Sequence, residues 1–382
     1  MSTFESLPVE VVLRVGTMCD PESRINFSMT SRNFRLILVD LIFRSIKIAE
    51  TQGSLCRALK EFSLPDKEAI HCRINQATIR VVPFPIPTSD HDQNLQLRGR
   101  YLPKNSTLPR DLAMALGKMQ NIRELDLEIN DFSPRQIQDF ETNIISSQFS
   151  FQLLQIDVDD EVGSKLIRET RDLKSLHLRT CFSSAMLKAA ACCHSGLERL
   201  AIQETFMRLY LESGVLLAMG RAGIPSQSMA IGDIATNFRF LKRLMIDEPV
   251  DTELWQDMVK FIITPTGRPA MRNLTHLSVT IWRESVIKRY EYEEGNNDED
   301  EIEDGEENNE EDGNEDEDED DLPLLARFIH HVGREVTNLE RICIKQRSPG
   351  YIDGTRLSEG AIDIQRRSMK PGQRGFPVTL HD

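Results

Sequence analysis

A pattern of three apolar residues, apolar-x-x-apolar-x-apolar, recurs along much of this 382-residue chain. Its second half alternates apolar and other residues, which is typical of a strand with one buried face. Seven copies occur in order, and chance does not readily produce so many. They begin at Ile122, Leu153, Leu173, Leu197, Leu241, Leu274 and Leu339. A unit this short cannot cover its own apolar face, so successive units must stack to form the core.

The segments between these copies have helical patterns. Ser133-Pro134-x-Gln136 is a capping pattern that predicts the start of one helix. Further helices are predicted over residues 51–62, 184–193, 209–219, 252–263 and 322–336. Because strands alternate with helices, we expect a parallel sheet with helices on its outer side.

The copies resemble the leucine-rich repeat, in which each unit is a short strand plus a return segment and the strands line a horseshoe. Two copies also carry a residue typical of that family directly after the strand, Asn130 and Cys181. The resemblance implies an irregular solenoid with parallel strands on the concave face and helices outside. Together with the N-terminal helices described below, the predicted fold class is α + α/β.

Charge is concentrated in one segment. The formal net charge is −15, but residues 291–321 contain 21 Asp and Glu and no Lys or Arg, so the rest of the chain carries +6. The last two copies start 65 residues apart, and removing this 31-residue segment leaves 34, which is within the range of the other spacings. We therefore interpret it as a disordered acidic insert within one repeat, and as a candidate site for a basic protein.

The first 48 residues predict three short helices. Asp20-Pro21-Glu22 provides an N-cap, a proline at the first helical position and an acid that favours the helix dipole. Val11, Val12 and Val15 recur at helical spacing before it. Helices this short cannot bury all of the apolar residues in the segment, so some apolar surface should contact a partner.

These residues resemble an F-box of the form common in fungal proteins. The match consists of Leu7-Pro8-x-Glu10-Val11, then Asp20-Pro21, then Ser28-x-Thr30-x-Arg32-x-Phe34-Arg35. The resemblance implies binding to the Skp adaptor of a cullin-based ubiquitin ligase. By position, the implied adaptor-binding residues and their supporting core are Leu7, Pro8, Val11, Val12, Val15, Ile25, Phe27, Phe34 and Leu38. Two residues depart from the family pattern and predict weaker adaptor binding, namely Cys19 and Arg24.

The predicted domains follow from these patterns. They are an F-box at 1–48, degenerate opening repeats and a linker at 49–118, a repeat region at 119–348 interrupted at 291–321, and a loosely packed tail at 349–382.

The motifs of common catalytic sites are missing from the sequence. It contains no P-loop, no G-x-G-x-x-G and no H-E-x-x-H. Cys192-Cys193-His194 is the best nucleophile-like cluster, but it ends an Ala-rich helix and is interpreted as core packing. We therefore expect no enzyme activity, cofactor or metal.

A substrate-binding surface is predicted on the strands, at positions between the apolar residues, which should face the concave side. The candidates are Lys174, His177, Arg179, Gln203, Lys242, Met245, Asp247, Ser278 and Lys345. A surplus of +6 without stacking aromatic residues makes nucleic acid an unlikely partner.

The cellular setting is predicted from the N-terminus and the cysteines. No signal-like segment or spanning run is present, and the seven cysteines lack a C-x-x-C motif, so a cytoplasmic or nuclear protein without membrane contact is expected. The predicted function is substrate recognition within a Skp–cullin–F-box ubiquitin ligase, with an unknown protein substrate. The alternative is a leucine-rich-repeat scaffold that does not direct degradation.

Overall fold

The structure is a computed structural model. It describes residues 7–82, 106–129, 132–144, 149–179, 184–203, 234, 237–250, 272–281, 322–345 and 350–368. Helices alternate with the strands of a mainly parallel sheet, which confirms the predicted mixture of α and α/β structure. The chain divides into two compact units. Unit one consists of residues 1–173 and 185–193, and unit two of residues 174–184 and 194–382.

Unit one begins with the three predicted helices, α1 (Val9–Met18), α2 (Pro21–Met29) and α3 (Arg32–Ile42). The carboxylate of Asp20 accepts a hydrogen bond of 2.9 Å from the backbone N–H of Ser23, so it caps α2 as its sequence predicts. These helices enclose a small core centred on Val12, Phe34 and Leu38.

The rest of unit one is a parallel sheet with intervening helices. Its strands are β1 (Ser45–Glu50), β2 (Gln76–Val81), β3 (Glu124–Ile129) and β4 (Leu153–Val158), paired in that order. Its helices are α4 (Gln52–Phe62), α5 (Glu68–His71), α6 (Leu108–Lys118), α7 (Pro134–Ile144), α8 (Asp160–Glu169) and α9 (Ser184–Cys193). A short 3₁₀ turn, Pro65–Lys67, precedes α5.

Unit two also alternates strands and helices, but its last two strands pair in antiparallel fashion. Strands β5 (Ser175–Leu178), β6 (Arg199–Gln203), β7 (Arg243–Val250), β8 (His276–Ile281) and β9 (Arg341–Lys345) pair in parallel. Helix α10 (Leu322–Glu335) precedes β9. Two further strands, β10 (Gly350–Arg356) and β11 (Ile362–Ser368), extend the sheet in antiparallel fashion.

One hydrogen-bond arrangement recurs at the start of the strands. A backbone carbonyl accepts bonds of 2.7–3.1 Å from two consecutive N–H groups of the next copy. Each accepting residue directly follows the first apolar residue of its copy. The seven acceptors are Arg44, Asn75, Arg123, Lys174, Glu198, Lys242 and Thr275. Stacked copies are therefore equivalent units, because the same backbone position makes the same contact in each.

The same arrangement corrects the repeat boundaries. The carbonyl of Arg123 bonds to residues 152 and 153, and Leu125 pairs with Leu154, so the copy in β4 begins at Phe151 and not at Leu153. The two frames are hard to separate by sequence because Phe151 and Leu153 are both apolar and both precede apolar residues at the required offsets. Two further copies precede these. One begins at Phe43 before β1, and the other at Ile74 before β2, within the predicted degenerate opening repeats, where the smaller Ala77 occupies the second apolar position.

The predicted loose tail is wrong for residues 350–368, which form β10 and β11. Ile352 pairs with Ile344 of β9 and both are buried. The guanidinium of Arg356 donates to the carbonyl of Leu339 at 2.7 Å and to that of Val336 at 3.3 Å, which ties the hairpin to the end of α10. The predicted helices at 209–219 and 252–263 and the acidic insert lie outside the described residues.

Candidate functional site

The nine residues predicted to form the adaptor face and its core separate into three groups by burial. Val12, Phe34 and Leu38 are at most 2% exposed and form the core of the helices. Leu7 and Phe27 pack partly against that core. The exposed members are Pro8, Val11, Val15 and Ile25. Only this last group presents a surface that a partner can contact directly.

Two helices each carry a line of exposed apolar side chains, and we call these two lines the apolar stripes. Val11, Val15 and Met18 follow one another at four- and three-residue steps along α1, and Met18 is 81% exposed. Ile25 and Met29 are one turn apart on α2 and are also exposed. Exposed apolar residues scattered singly are ordinary, but a stripe along a helix is typical of a contact surface.

Arg24 takes a position that the sequence does not reveal. Its guanidinium donates hydrogen bonds to the carbonyls of Gly16 at 2.7 Å, Cys19 at 3.0 Å and Leu41 at 3.2 Å. These carbonyls lie at the ends of α1 and α3, where backbone acceptors lack helical partners. Arg24, on α2, therefore links the ends of α1 and α3, and its guanidinium contributes to the stability of the three helices.

The strand positions between the apolar residues are acidic in unit one. Gln76 donates to Glu124 at 2.8 Å, and Arg80 pairs with Asp126 at 2.6 Å and with Glu128 at 3.5 Å. Two of these three carboxylates on β3 thus share one cation, Arg80, while Glu124 accepts from a neutral amide. This strand face of unit one is therefore acidic.

The predicted substrate-binding residues of unit two differ in exposure. Lys174 and Lys242 are exposed, whereas His177 is 9% and Ser278 only 1% exposed. Half-buried positions are Arg179, Gln203, Met245 and Lys345. The side chain of Asp247 lies outside the described residues. His177 and Ser278 are covered by neighbouring atoms, so these two candidates present little surface to a partner.

Two cations share one carboxylate at the start of β6. Lys242 pairs with Glu198 at 2.9 Å and Lys174 pairs with it at 3.7 Å. The hydrogen bond from Lys242 is the main reason that the pKa of Glu198 lies below its ordinary value. The carboxylate is therefore ionised at neutral pH, and one positive charge of the pair is left over.

A second shared carboxylate lies on β10. Asp353 is 2% exposed, and Arg341 donates to its two oxygens at 2.8 and 2.9 Å in a bidentate arrangement. Arg367 approaches the same carboxylate at 3.2 Å. Burial alone would raise the pKa of Asp353, but these bonds from Arg341 outweigh it and lower the pKa. Again two cations meet one carboxylate.

Cys343 adjoins this group, and its surroundings disfavour the thiolate. Its thiol lies 3.3 Å from Asp353. Burial, and then the neighbouring carboxylate, raise the pKa of Cys343 to about 12. A thiol with such a pKa stays protonated at neutral pH, and the thiolate is the reactive form.

The three residues of the nucleophile-like cluster at the end of α9 are not all packed in the core, contrary to the prediction from the sequence. Cys192 and Cys193 are exposed, so their interpretation as core residues is wrong, while His194 is buried. Across the described parts of the chain, no three His, Cys, Asp or Glu side chains are grouped so that they could hold a metal ion. None of the described helices combines the length and apolar character needed to cross a membrane.

Neither protein-family models nor curated proteins give a match to this chain. The two surfaces described above, the apolar stripes and the strand face of unit two, therefore provide the basis for inferring function.

Proposed function

We propose that the chain is the substrate-recognition subunit of a Skp–cullin–F-box ubiquitin ligase. Helices α1–α3 bind the Skp adaptor, and a leucine-rich-repeat solenoid, with its parallel strands on the concave face and helices outside, binds a protein substrate. The chain performs no covalent chemistry in this assembly, because ubiquitin transfer belongs to other subunits. The observation that carries the proposal is the pair of apolar stripes on a separately cored group of three helices.

The stripes support adaptor binding through their exposure. Val11, Val15 and Ile25 were implied by the F-box resemblance, and all three are 40% or more exposed. They remain exposed while Val12, Phe34 and Leu38 already form a core, so the fold of the helices does not require them to be covered. Burying such side chains against a partner gives a gross gain of roughly 25 cal/mol per Å² of apolar surface, from which the cost of association is subtracted.

The recurring backbone contact supports the repeat assignment. Asparagine side chains make a second recurring contact. In three copies, the residue directly before the first apolar position is an asparagine. Asn121 donates to the carbonyl of Cys72 at 2.6 Å, Asn273 to that of Arg239 at 3.0 Å and Asn338 to that of Arg272 at 2.7 Å. In each case the acceptor lies two residues before the preceding copy, so the side-chain contacts repeat with the backbone ones.

Adaptor capture tests the proposal. Purified Skp adaptor on a resin should retain the wild-type chain and should lose Val15→Asp/Ile25→Asp, because each substitution places a charge in an apolar contact. Leu64→Asp is the matched control, since Leu64 is 48% exposed and lies in the turn after α4. It should bind as the wild type does. Urea unfolding of each variant establishes that the helices remain folded.

The result also separates the ligase from a non-degradative scaffold. Retention of wild-type chain together with cullin supports the ligase. A folded wild-type chain that the adaptor does not retain, or equal retention of the double variant, contradicts the proposed adaptor face and leaves a scaffold as the better explanation.

A further inference from the structure

A row of basic side chains crosses four adjacent strands of unit two. Arg199 on β6 pairs in register with Arg243 on β7, Arg243 with His276 on β8, and His276 with Arg341 on β9. We call these four residues the basic row. Neighbouring strands in a sheet lie roughly 4.8 Å apart, so four basic groups occur at close and regular intervals.

The row faces away from the repeat core. On each of these strands the next residue is a buried aliphatic side chain, and alternate residues of a strand point to opposite faces. Those aliphatic residues are Leu200, Leu244, Leu277 and Ile342. Each member of the row is half-buried, so part of it still reaches the surface.

Among the described side chains around the row, cations outnumber carboxylates. Arg341 shares Asp353 with Arg367, and next to Arg199 the carboxylate of Glu198 is shared by two lysines. Each shared carboxylate leaves one positive charge unbalanced. Arg199 adds a further charge, and Glu340 beside Arg341 supplies one acid.

We propose that the basic row binds an acidic peptide segment of a protein partner. The proposal rests on the substrate-recognition function above and assigns the class of substrate, a protein with an exposed stretch of Asp and Glu. Carboxylates placed over the row take up the unbalanced charges, and guanidinium groups bind them in bidentate fashion.

The environment of His276 agrees with an anion site. Burial, followed by the charge of Arg243, lowers the pKa of His276, and Arg341 and Arg199 act in the same direction. Glu340 opposes them. The arginines therefore create a positive potential at His276, in the centre of the row, and a bound carboxylate would offset that potential.

Binding of a defined peptide to the purified full-length chain tests this inference. The probe is a fluorescein-labelled peptide that alternates Glu and Ser, with a Gln–Ser peptide as its neutral counterpart, and fluorescence anisotropy is measured at low and high salt. We expect the Glu peptide alone to bind, and salt to weaken its binding. Arg199→Gln/Arg243→Gln should reduce affinity roughly ten-fold, since two charge pairs of about 0.7 kcal/mol each are lost.

Three variants make the result decisive. Arg199→Lys/Arg243→Lys keeps the charge and should retain most of the affinity, while Arg168→Gln/Lys188→Gln removes two exposed charges elsewhere and should change nothing. A chain lacking residues 293–321 is measured in parallel, to test whether that acidic segment competes with the peptide for basic groups. Failure of both chains to bind the Glu peptide, or equal binding by the Arg199→Gln/Arg243→Gln variant, overturns the inference, as does binding of single-stranded RNA in preference to the peptide. The adaptor is absent from this assay, so its outcome is independent of the test of the ligase function.

Discussion

Arg24 shows how one side chain can stabilise several helix ends at once. Its guanidinium satisfies carbonyls of Gly16, Cys19 and Leu41, which the helices themselves leave without partners. Replacing it by Met keeps the aliphatic stem but removes all three bonds. One hydrogen bond from a charged donor contributes about 1.5–3 kcal/mol, so Arg24→Met, which removes three at a partly exposed site, should lower the free energy of unfolding of the helices by at least about 2 kcal/mol. Urea unfolding followed by circular dichroism measures the change.

Arg35 is the control for this substitution. It lies on α3 and is exposed, so Arg35→Met should change the unfolding midpoint little. Equal effects of the two substitutions would mean that the inward contacts of Arg24 do not stabilise the helices.

His276 couples the stability of unit two to pH. Its pKa is lowered by burial and by Arg243, Arg341 and Arg199, so the folded state binds a proton less readily than the unfolded state, whose pKa is near 6.5. The unfolded state therefore gains protons first as the pH falls, and the free energy of unfolding decreases below about pH 6.5. His276→Gln removes this dependence.

The measurement is the urea midpoint of both proteins between about pH 8 and pH 5, a window above the ordinary pKa values of carboxylates. The wild-type midpoint should fall with pH more steeply than that of His276→Gln. Parallel profiles would contradict the role assigned to His276.

At the scale of elements, the packing of α1 on α3 depends on a glycine. A methyl group at Gly16 would overlap the side chain of Leu38 and lie 3.3 Å from Leu41, so Gly16→Ala should destabilise the helices by about 1–3 kcal/mol. Gly53 on α4 has open space around it, and Gly53→Ala should be neutral or stabilising by up to about 1 kcal/mol through helix propensity. Thermal unfolding of both variants provides the comparison, and similar shifts of the same sign would refute it.

The sequence predicts elements well where a local signal defines their ends. Helix α7 begins at its predicted position because Gln136 reaches back to the N–H of Ser133 at 2.9 Å, a contact between neighbours in the chain. Helices α6 and α8 were not predicted, although both contain buried apolar faces. The hairpin β10–β11 was missed because its stability depends on distant contacts, such as those of Asp353 with Arg341 and of Arg356 with Leu339.

The candidate sites were predicted by position but not by exposure. Helical spacing groups Val11 with Val12 and Val15, yet only the packing of α3 decides that Val12 is buried and that the other two are not. The same limit applies to the strands, where Ser278 alternates correctly with apolar residues but is covered. Periodicity defines the two faces of an element, whereas exposure depends on what the rest of the chain places over each face.

Across the whole molecule, charge is divided more sharply than the net value of −15 indicates. The strand face of unit one carries Glu124, Asp126 and Glu128, the strand face of unit two carries the basic row, and residues 291–321 supply 21 further acids. The field that a partner meets therefore depends on which of these regions it approaches, and the net charge describes none of them.

Deleting residues 293–321 should reverse the behaviour of the whole chain on ion exchangers. The segment contains 20 acids and no bases, so its removal changes the net charge from −15 to +5. Adding Arg199→Glu/Arg243→Glu reverses two charges and leaves +1. At neutral pH the full chain should bind an anion exchanger, whereas the shortened chain should bind a cation exchanger and elute at higher salt than its double variant, because the basic row then dominates the contact.

Arg168→Glu/Lys188→Glu in the shortened chain gives the same net charge of +1 without altering the row. If this variant and the Arg199→Glu/Arg243→Glu variant elute together, net charge alone governs the interaction and the basic row has no special part in it.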